Sequence, residues 1–381
     1  MPSPRVNVLV DGSPLDPSVL AQMLRAEVRE SDTDPSVLAL RFRLVQRSDG
    51  EFGPLDDDTF EPGVVVGFEL EPPGGLTQRL FEGPVTHVRP HFETIESNAY
   101  VEVLAMDAAV LLDAEERVAA WPNMTDSDVV SQILSGYRIP VEAGDTAVRY
   151  DEDRQLLMQR GTDWRFLQHL ARRNGARFYF EYDGARGQVV AHFAVPDVGG
   201  PPQADLVVLQ DDGNLSWADL QLVAAGPVTM TAAALDPIGK QIVRGDGTPA
   251  LAVLGDDDAA AAVESGLKAA GATGSLAFVR DPFPLDEAIG AETTAATDAA
   301  RFVIELRGEL DPSLYRGLLR ARRPVLVRGV GRRFSGIYYV QSVRTTLEGA
   351  TLLQSFVARR NATGQTGQES FGQSAEEVPV E

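Results

Sequence analysis

One stretch decides the fold: Leu156–Gly184, LLMQRGTDWRFLQHLARRNGARFYFEYDG. The hydrophobic period changes inside it. Thr162 or Asp163 can cap a helix, and Trp164, Leu167, Leu170 and Ala171 then recur at helical spacing, which predicts an amphipathic helix. Gly175 can supply the left-handed residue beyond its C-terminus. Residues 176–193, ARFYFEYDGARGQVVAHF, alternate and predict a hairpin turning near Asp183 and Gly184. Trp164 is read as a packing residue, because a large aromatic with leucine partners at this spacing packs far more often than it binds. Its truncation to alanine is expected to cost about 3–5 kcal/mol, as for other buried large aromatics.

Upstream, TDSDVVSQILSGY (Thr125–Tyr137) predicts a second helix. Thr125, Asp126 and Ser127 are its capping candidates, Val130, Ile133 and Leu134 its apolar face, and Gly136 its stop. Residues 1–115 alternate in the manner of strands, as in LALRFRLV from Leu38 and in Gly63–Leu70, Arg79–Phe92 and Ala99–Asp107. One short helix is expected there, around Pro17–Glu27. Strand patterning returns over 204–240. Residues 255–275 are low in complexity and read as an exposed loop or short helix, and LDEAIGAETTAATDAARF (Leu285–Phe302) reads as helix. Four strand-like runs follow, through Arg359. From Thr363 the chain is polar and acidic, with only Phe371, Val378 and Val380 as large apolar anchors. It is expected to be flexible in isolation and to dock onto a partner.

Bulk properties exclude several classes. The 381 residues carry a formal charge of -22, which argues against a general nucleic-acid binder. There is no cysteine, hence no disulfide and no thiolate site. No apolar run is long enough to span a membrane as a helix. The first residues lack the pattern of a signal peptide, so synthesis in the cytoplasm is expected. Charge is uneven: residues 301–360 hold twelve arginines against four acids, a net of +8. A basic face meeting an acidic neighbour and an ordinary solvated face are both open readings of that asymmetry.

The candidate chemistry fails. Gly331-Arg332-Arg333-Phe334-Ser335-Gly336 runs into a β-branched, aromatic strand pattern and lacks the lysine of a phosphate loop, so Gly329, Gly331 and Gly336 are read as turn glycines. His87 and His91 have the four-residue spacing of zinc ligands, but Pro90 and the strand pattern remove the helix that makes such spacing useful. His169 and His192 are read as ordinary half-buried residues. Asp56–Asp58 and Asp256–Asp258 lack the spacing of a calcium loop and are read as solvated. Trp121, Trp164 and Trp217 are too scattered for a sugar platform. No metal, cofactor or catalytic residue is assigned.

Taken in order, these pieces resemble the late-control D family, the baseplate hub proteins of contractile phage tails and the hub half of type VI secretion spike proteins. Gln159, Asp163, Trp164, Phe166, Leu167, Leu170, Ala171 and Gly175 fall in register with the family's Q…E-S-D-W-x-F-L signature. Ala105–Leu134 is similar to the segment that precedes it. In Val327–Ala362, the residues Gly331, Phe334, Ser335, Gly336, Tyr338, Val340 and Asn361 match the C-terminal pattern G…F-S-G-x-Y-x-V and its closing R-N. Arg344 stands where many members have histidine. The chain also lacks the oligonucleotide-binding-type domain and β-helical needle of type VI spikes, which implies a separate spike protein.

The resemblance implies a mainly β fold with α segments (α+β): two tail-tube-like β-barrel domains joined by a smaller α+β segment. The first barrel would be residues 1–115, with strands of 204–240 available to complete it. The connecting domain would be 116–203 and the second barrel 204–362 with an insertion near 241–290, followed by an acidic tail over 363–381. It further implies a structural, non-enzymatic hub that trimerises and joins a six-fold inner tube to a three-fold spike. Its partners would be itself, the spike, the inner tube and other baseplate proteins, within an assembled tail or injection particle, with no nucleic-acid specificity and no stable membrane insertion. The alternative, a tail-associated peptidoglycan or polysaccharide hydrolase, needs two placed carboxylates or a metal, and the sequence designates neither.

Overall fold

The computed structural model describes residues 3–364 except 96–97, 154, 210, 237–238, 273–274, 280–285 and 316. The alternating runs from both ends of the chain pair into a single 13-stranded sheet. Its path begins at Leu215–Leu222 and crosses Ile304–Leu310, Thr351–Arg360 and Gly336–Glu348. It continues through Met23–Ser31, Val37–Arg43, Tyr100–Met106, Gln78–His91 and Val65–Glu71 to Arg5–Val10 and Ser13–Pro14. A branch adds Pro324–Arg328 beside Gly336–Glu348, then Gln203–Val207. The mainly β, partly helical class expected from the sequence is met. The strands follow an open path and close no barrel among the described residues.

The two ends of the chain meet along one seam. Met23–Ser31 and Gly336–Glu348 pair antiparallel, from Ser31↔Ser342 to Arg25↔Glu348. Both strands are paired on their other side as well, so the seam lies inside the sheet. This explains a correction. The helix expected around Pro17–Glu27 is only Pro17–Leu20, started by Pro17 and capped by the Asp16 carboxylate, which accepts from Ser18 N at 2.7 Å. From Met23 the chain places Ala26, Val28 and Glu30 on one face and Arg25, Glu27 and Arg29 on the other, as a strand paired on two edges does, and that pairing overrides helix formation.

Period-2 alternation gives the sheet two different faces. On one face Ala26, Val28, Leu38, Leu40 and Phe42 join Phe68 and Leu70 in a core for the N-terminal half. On the same face Val340, Val343, Phe356 and Ala358 join Leu306 and Val327 in a core for the C-terminal half. Gln354, 3% exposed, lies between them. Its side chain accepts from Leu319 N at 2.9 Å and donates to Leu319 O at 3.0 Å and Thr345 Oγ1 at 2.8 Å, tying the segment around Leu319 onto the sheet. The strands Gln203–Val207 and Leu215–Leu222 pair within the C-terminal half, with Pro324–Arg328 and Ile304–Leu310 respectively.

A third core belongs to the helical region. The helix Asp126–Tyr137 opens with a reciprocal capping box between Thr125 and Asp128, runs one residue past Gly136 and ends at the left-handed Arg138, φ 59°. The helix Asp163–Arg173 packs Phe166, Leu167 and Leu170 against Val130, Leu134, Phe178 and Phe193. The low-complexity stretch contains the helix Ala259–Ala269, whose Ala259, Ala260 and Val263 are buried. The predicted helix near 285–302 is present as Asp286–Ala300, beside a small sheet of Thr229–Asp236, Gln241–Asp246 and Ser275–Val279. The acidic stretch beyond Gly364, with the docking expected of it, lies outside the described residues. Thr363 itself pairs with Asp257.

Candidate assembly interface

The first motif cluster is a satisfied structural node. Thr162 caps the helix, its Oγ1 accepting from Arg165 N at 3.3 Å and donating to Asp113 Oδ1 at 2.5 Å. Asp163, 1% exposed, opens the helix where its dipole favours an anion. Its carboxylate accepts from Gln159 Nε2 at 2.6 Å and Tyr137 OH at 2.6 Å, and it pairs with Arg117 at 3.0 Å. Burial and then the Asp163 carboxylate push the Tyr137 phenol up to about 12, so it remains a donor. Ala176 N donates to Ala171 O at 2.9 Å and Gly175 N to Arg172 O at 3.2 Å, with Gly175 at φ 66°. These bonds form a Schellman stop, placed where the sequence put it.

Trp164 departs from its expected place. It is only partly buried at the edge of the helical core, with ring centroids 5.5 Å from Phe178 and 6.3 Å from Phe180, while Phe166 takes the interior position. Trp164→Ala should therefore cost about 2 kcal/mol, below the 3–5 kcal/mol of a fully buried aromatic, and urea unfolding of the two proteins measures it.

The second motif cluster is built around a residue that the sequence reading underweighted. Arg360 is 0% exposed. Its guanidinium donates to Ser335 O at 2.7 Å, Leu254 O at 2.9 Å and Gly364 O at 2.6 Å, all neutral carbonyls. Gly336, at φ 139°, leaves room for it: an added Cβ would sit 2.6 Å from Arg360 Cζ. Asn361 accepts from Leu254 N and donates to Ala252 O, each at 2.9 Å, and Tyr338 OH donates to Phe334 O at 2.7 Å. Val340 lies in the C-terminal core. The expected strand–turn–strand element contains one helical turn, Gly331–Phe334, which starts at the left-handed Gly331, φ 77°. Its closing R-N pair was the sequence signal for this lock. The two motif clusters lie in different cores, and neither forms a solvent-facing reactive site.

Where the ends of the chain meet the helical region, the chain buries charge. Arg320, 6% exposed, pairs with Glu30 at 2.8 Å and Glu181 at 3.2 Å, and Arg323 reaches the same Glu181 at 2.6 Å. Arg177 pairs with Asp32 at 2.8 Å. Arg322 donates to Ser31 O and Ser36 Oγ, each at 2.9 Å, with its guanidinium 4.3 Å from the Tyr179 ring centroid. Each pair joins two of three segments distant in sequence, 30–36, 177–181 and 320–323. Burial would raise Glu181, but Arg320, Arg323 and Arg322 outweigh it and hold the carboxyl below its usual range.

Asp107 sits beside this junction, 3% exposed, accepting from Ser36 N at 2.6 Å and Ala109 N at 3.0 Å. Burial pushes its carboxyl up to about 6, against the smaller opposing pull of these N–H groups and Arg322. The folded chain thus takes up this proton at higher pH than the unfolded chain, and the associated stability fades as pH rises through 6. Unfolding free energy should fall by roughly 1 kcal/mol from pH 5 to 7 through this group alone. Parallel denaturation of Asp107→Asn, which should lack that component, isolates it.

The opposite face of the sheet is solvent-facing and arginine-rich. Glu27 is held by Arg25 at 2.7 Å, Arg29 at 2.5 Å and Arg344 at 3.7 Å. Glu102 is held by Arg41 at 3.0 Å and Arg89 at 3.5 Å, and Glu305 by Arg307 at 2.7 Å and Arg359 at 3.2 Å. Much of the +8 window is therefore answered within the chain, with Asp258 on Arg301 and Asp205 and Asp212 on Arg328 as further partners. Asp258 also caps the helix Ala259–Ala269, so this acidic triplet is more than a solvated loop. His87 and His91 lie on this face of a strand, roughly 13 Å apart along it, and His91 stacks on Tyr100. No metal-holding cluster occurs among the described residues, and none of their helices is long and apolar enough to cross a membrane.

Comparison with known proteins bears out the late-control D resemblance. Residues 39–213 match the phage tail baseplate hub (GPD) family model. No curated protein matches. Among solved structures, the 43 kDa tail protein of prophage MuSo2 from Shewanella oneidensis is 12% identical with a TM-score of 0.64, covering 95% of this chain and 100% of that one. A tail protein from Neisseria meningitidis MC58 is 13% identical with a TM-score of 0.65, covering 94% and 97%. The E. coli c3393 protein, a type VI secretion component described as similar to T4 tail proteins gp27 and gp5, is 15% identical with a TM-score of 0.54, covering 93% and 76%. At these identities the likeness is one of fold, and it extends over both halves of the sheet. The family is one of phage tail baseplate hubs, and these relatives are two tail proteins and a type VI secretion component.

Proposed function

Proceeding from its match to the phage tail baseplate hub family, we propose that this chain is the structural hub of a contractile tail or injection system. It works as a homotrimer that joins a six-fold inner tube to a three-fold spike. The observation that carries this reading is the seam. Two strand-rich lobes, one from each end of the chain, are fused edge to edge between Met23–Ser31 and Gly336–Glu348. A chain with two such lobes presents six in a ring of three, which is what a six-fold tube end requires of a trimer. Fusion by main-chain hydrogen bonds fixes the spacing of the two lobes and covers an edge that each would otherwise expose.

In this reading residues 1–115 form the first tube-like unit and 204–362 the second, with an insertion near 241–290. Residues 116–203 connect them, and 363–381 are an acidic tail. The motif residues Gln159, Asp163, Trp164, Phe166, Leu167, Gly175, Gly331, Phe334, Ser335, Gly336, Tyr338, Val340 and Asn361 act as structural locks rather than contacts to a ligand. The spike and inner tube are separate proteins in the same particle. The family match, the shared fold over both lobes and a further relative in a PdpA-VgrG complex support these partners. Quantitative mass spectrometry of intact particles, with isotope-labelled peptides of this chain, should return three copies per particle; six copies would remove the two-lobe reading.

A further inference from the structure

Two connections meet at one end of the N-terminal lobe. Residues 44–62 link Val37–Arg43 to Val65–Glu71, and residues 92–99 link Gln78–His91 to Tyr100–Met106. The register brings them together, because Arg43 and His91 both lie opposite Tyr100. Leu44 N donates to Ala99 O at 3.0 Å, and the Phe52 and Phe92 rings meet edge to face with centroids 5.5 Å apart. The longer connection is tied down along its length. Arg47 N donates to Glu51 O at 2.7 Å, the Arg47 guanidinium donates to the Asp57 carboxylate at 2.7 Å, and the buried Phe60 stacks on Phe42 in the core. On this ordered base Val45, Phe92 and Ile95 stand 45%, 55% and 62% exposed. Held in place and left in water, an aromatic and two aliphatic side chains have the form of an interface anchor.

The charge around this tip says what covers it. Residues 45–62 and 91–95 hold seven carboxylates, from Asp49 to Glu93, all exposed, against the single arginine Arg47, a net of -6. Arg47 is already occupied by Asp57, and the carboxylates of Asp58 and Glu61 bond nothing among the described residues. The arginine-rich face is different, since Glu27, Glu102 and Glu305 hold its guanidiniums. A second copy would bring that neutralised face and its own charge of -22, so it does not complement the tip. The complementary occupant is a different protein, with lysine or arginine around an apolar hollow.

We propose that this tip is a docking surface for a basic protein of the same particle. Phe92 and Ile95 enter an apolar hollow of that partner, and the carboxylates around them, Asp58 and Glu61 included, meet its lysines or arginines. The proposal rests on the hub reading for the existence of the particle.

The absence of cysteine permits a clean test. Ile95→Cys is introduced into the full chain, and its maleimide labelling is timed in the purified chain and in intact particles. Labelling should be at least about tenfold slower in particles, as for a residue in the packed centre of an interface. Leu76→Cys, at a position 83% exposed in another turn of the same lobe, should label equally fast in both. Salt at about 1 M should narrow the Ile95→Cys difference, and D58N with E61Q should cut it roughly threefold or more. A photo-crosslinking phenylalanine at position 92 should capture a peptide of another protein rich in lysine or arginine. Equal labelling in chain and particle, equal protection at both cysteines, indifference to salt and to the neutralised carboxylates, or a crosslink to a second copy would overturn the proposal. Those outcomes are read with the chain present in particles. Its absence from them would remove the hub reading, and this proposal with it.

Discussion

Arg320→Met should destabilise the chain by about 3–5 kcal/mol, the cost of breaking a buried ion pair from one side. Glu30, 3% exposed, has Arg320 as its partner at 2.8 Å, and its second oxygen is already without a hydrogen bond. Removing the guanidinium leaves that carboxylate desolvated and uncompensated. Glu181 retains Arg323 and suffers less. Pairing the change with Glu30→Met should recover most of the loss, because two apolar side chains of similar volume replace the pair without a stranded charge. Urea denaturation of the single and double variants measures both values. If the single substitution costs under about 1 kcal/mol, the range of an exposed pair, the junction is solvated and does not hold the lobes together.

Gly336→Ala is expected to cost a similar amount, for a different reason. The backbone at φ 139° is one that L side chains rarely adopt, and the new methyl would lie 2.6 Å from Arg360 Cζ. The backbone strain accounts for about 1–3 kcal/mol. Displacing a fully buried guanidinium from the carbonyls of Ser335, Leu254 and Gly364 adds to it. Gly331→Ala serves as the comparison: its φ is 77°, but nothing lies within 4 Å of the added carbon, so it should lose only about 1 kcal/mol. Equal losses at the two glycines would mean that Arg360 yields freely and the lock is not specific.

These residues also mark what was legible in the sequence. The helix Asp163–Arg173, its Thr162 cap and its Gly175 stop depend on neighbours a few residues away, and they were readable for that reason. The buried state of Asp163 was not, because Arg117 and Tyr137 reach it from other elements. The seam was invisible: Met23–Ser31 meets Gly336–Glu348 across some three hundred residues, and nothing local in either strand names its partner. The same distance hid the arginine junction. Read locally, Arg320, Arg322 and Arg323 look like part of an exposed basic run, yet two of them are buried by strands from the far end of the chain. Turn glycines were recognised by type, whereas the reason Gly336 must be glycine appears only when Arg360 folds over it.

The hub account is tested most directly by an electron cryo-microscopy reconstruction of the intact particle from its source. It predicts three copies of this chain in a closed ring between inner tube and spike, each contributing two lobes joined at the Met23–Ser31 and Gly336–Glu348 seam, so that six lobes face the tube. A ring of six copies, one lobe per chain toward the tube, or a position outside the tube–spike junction would contradict it.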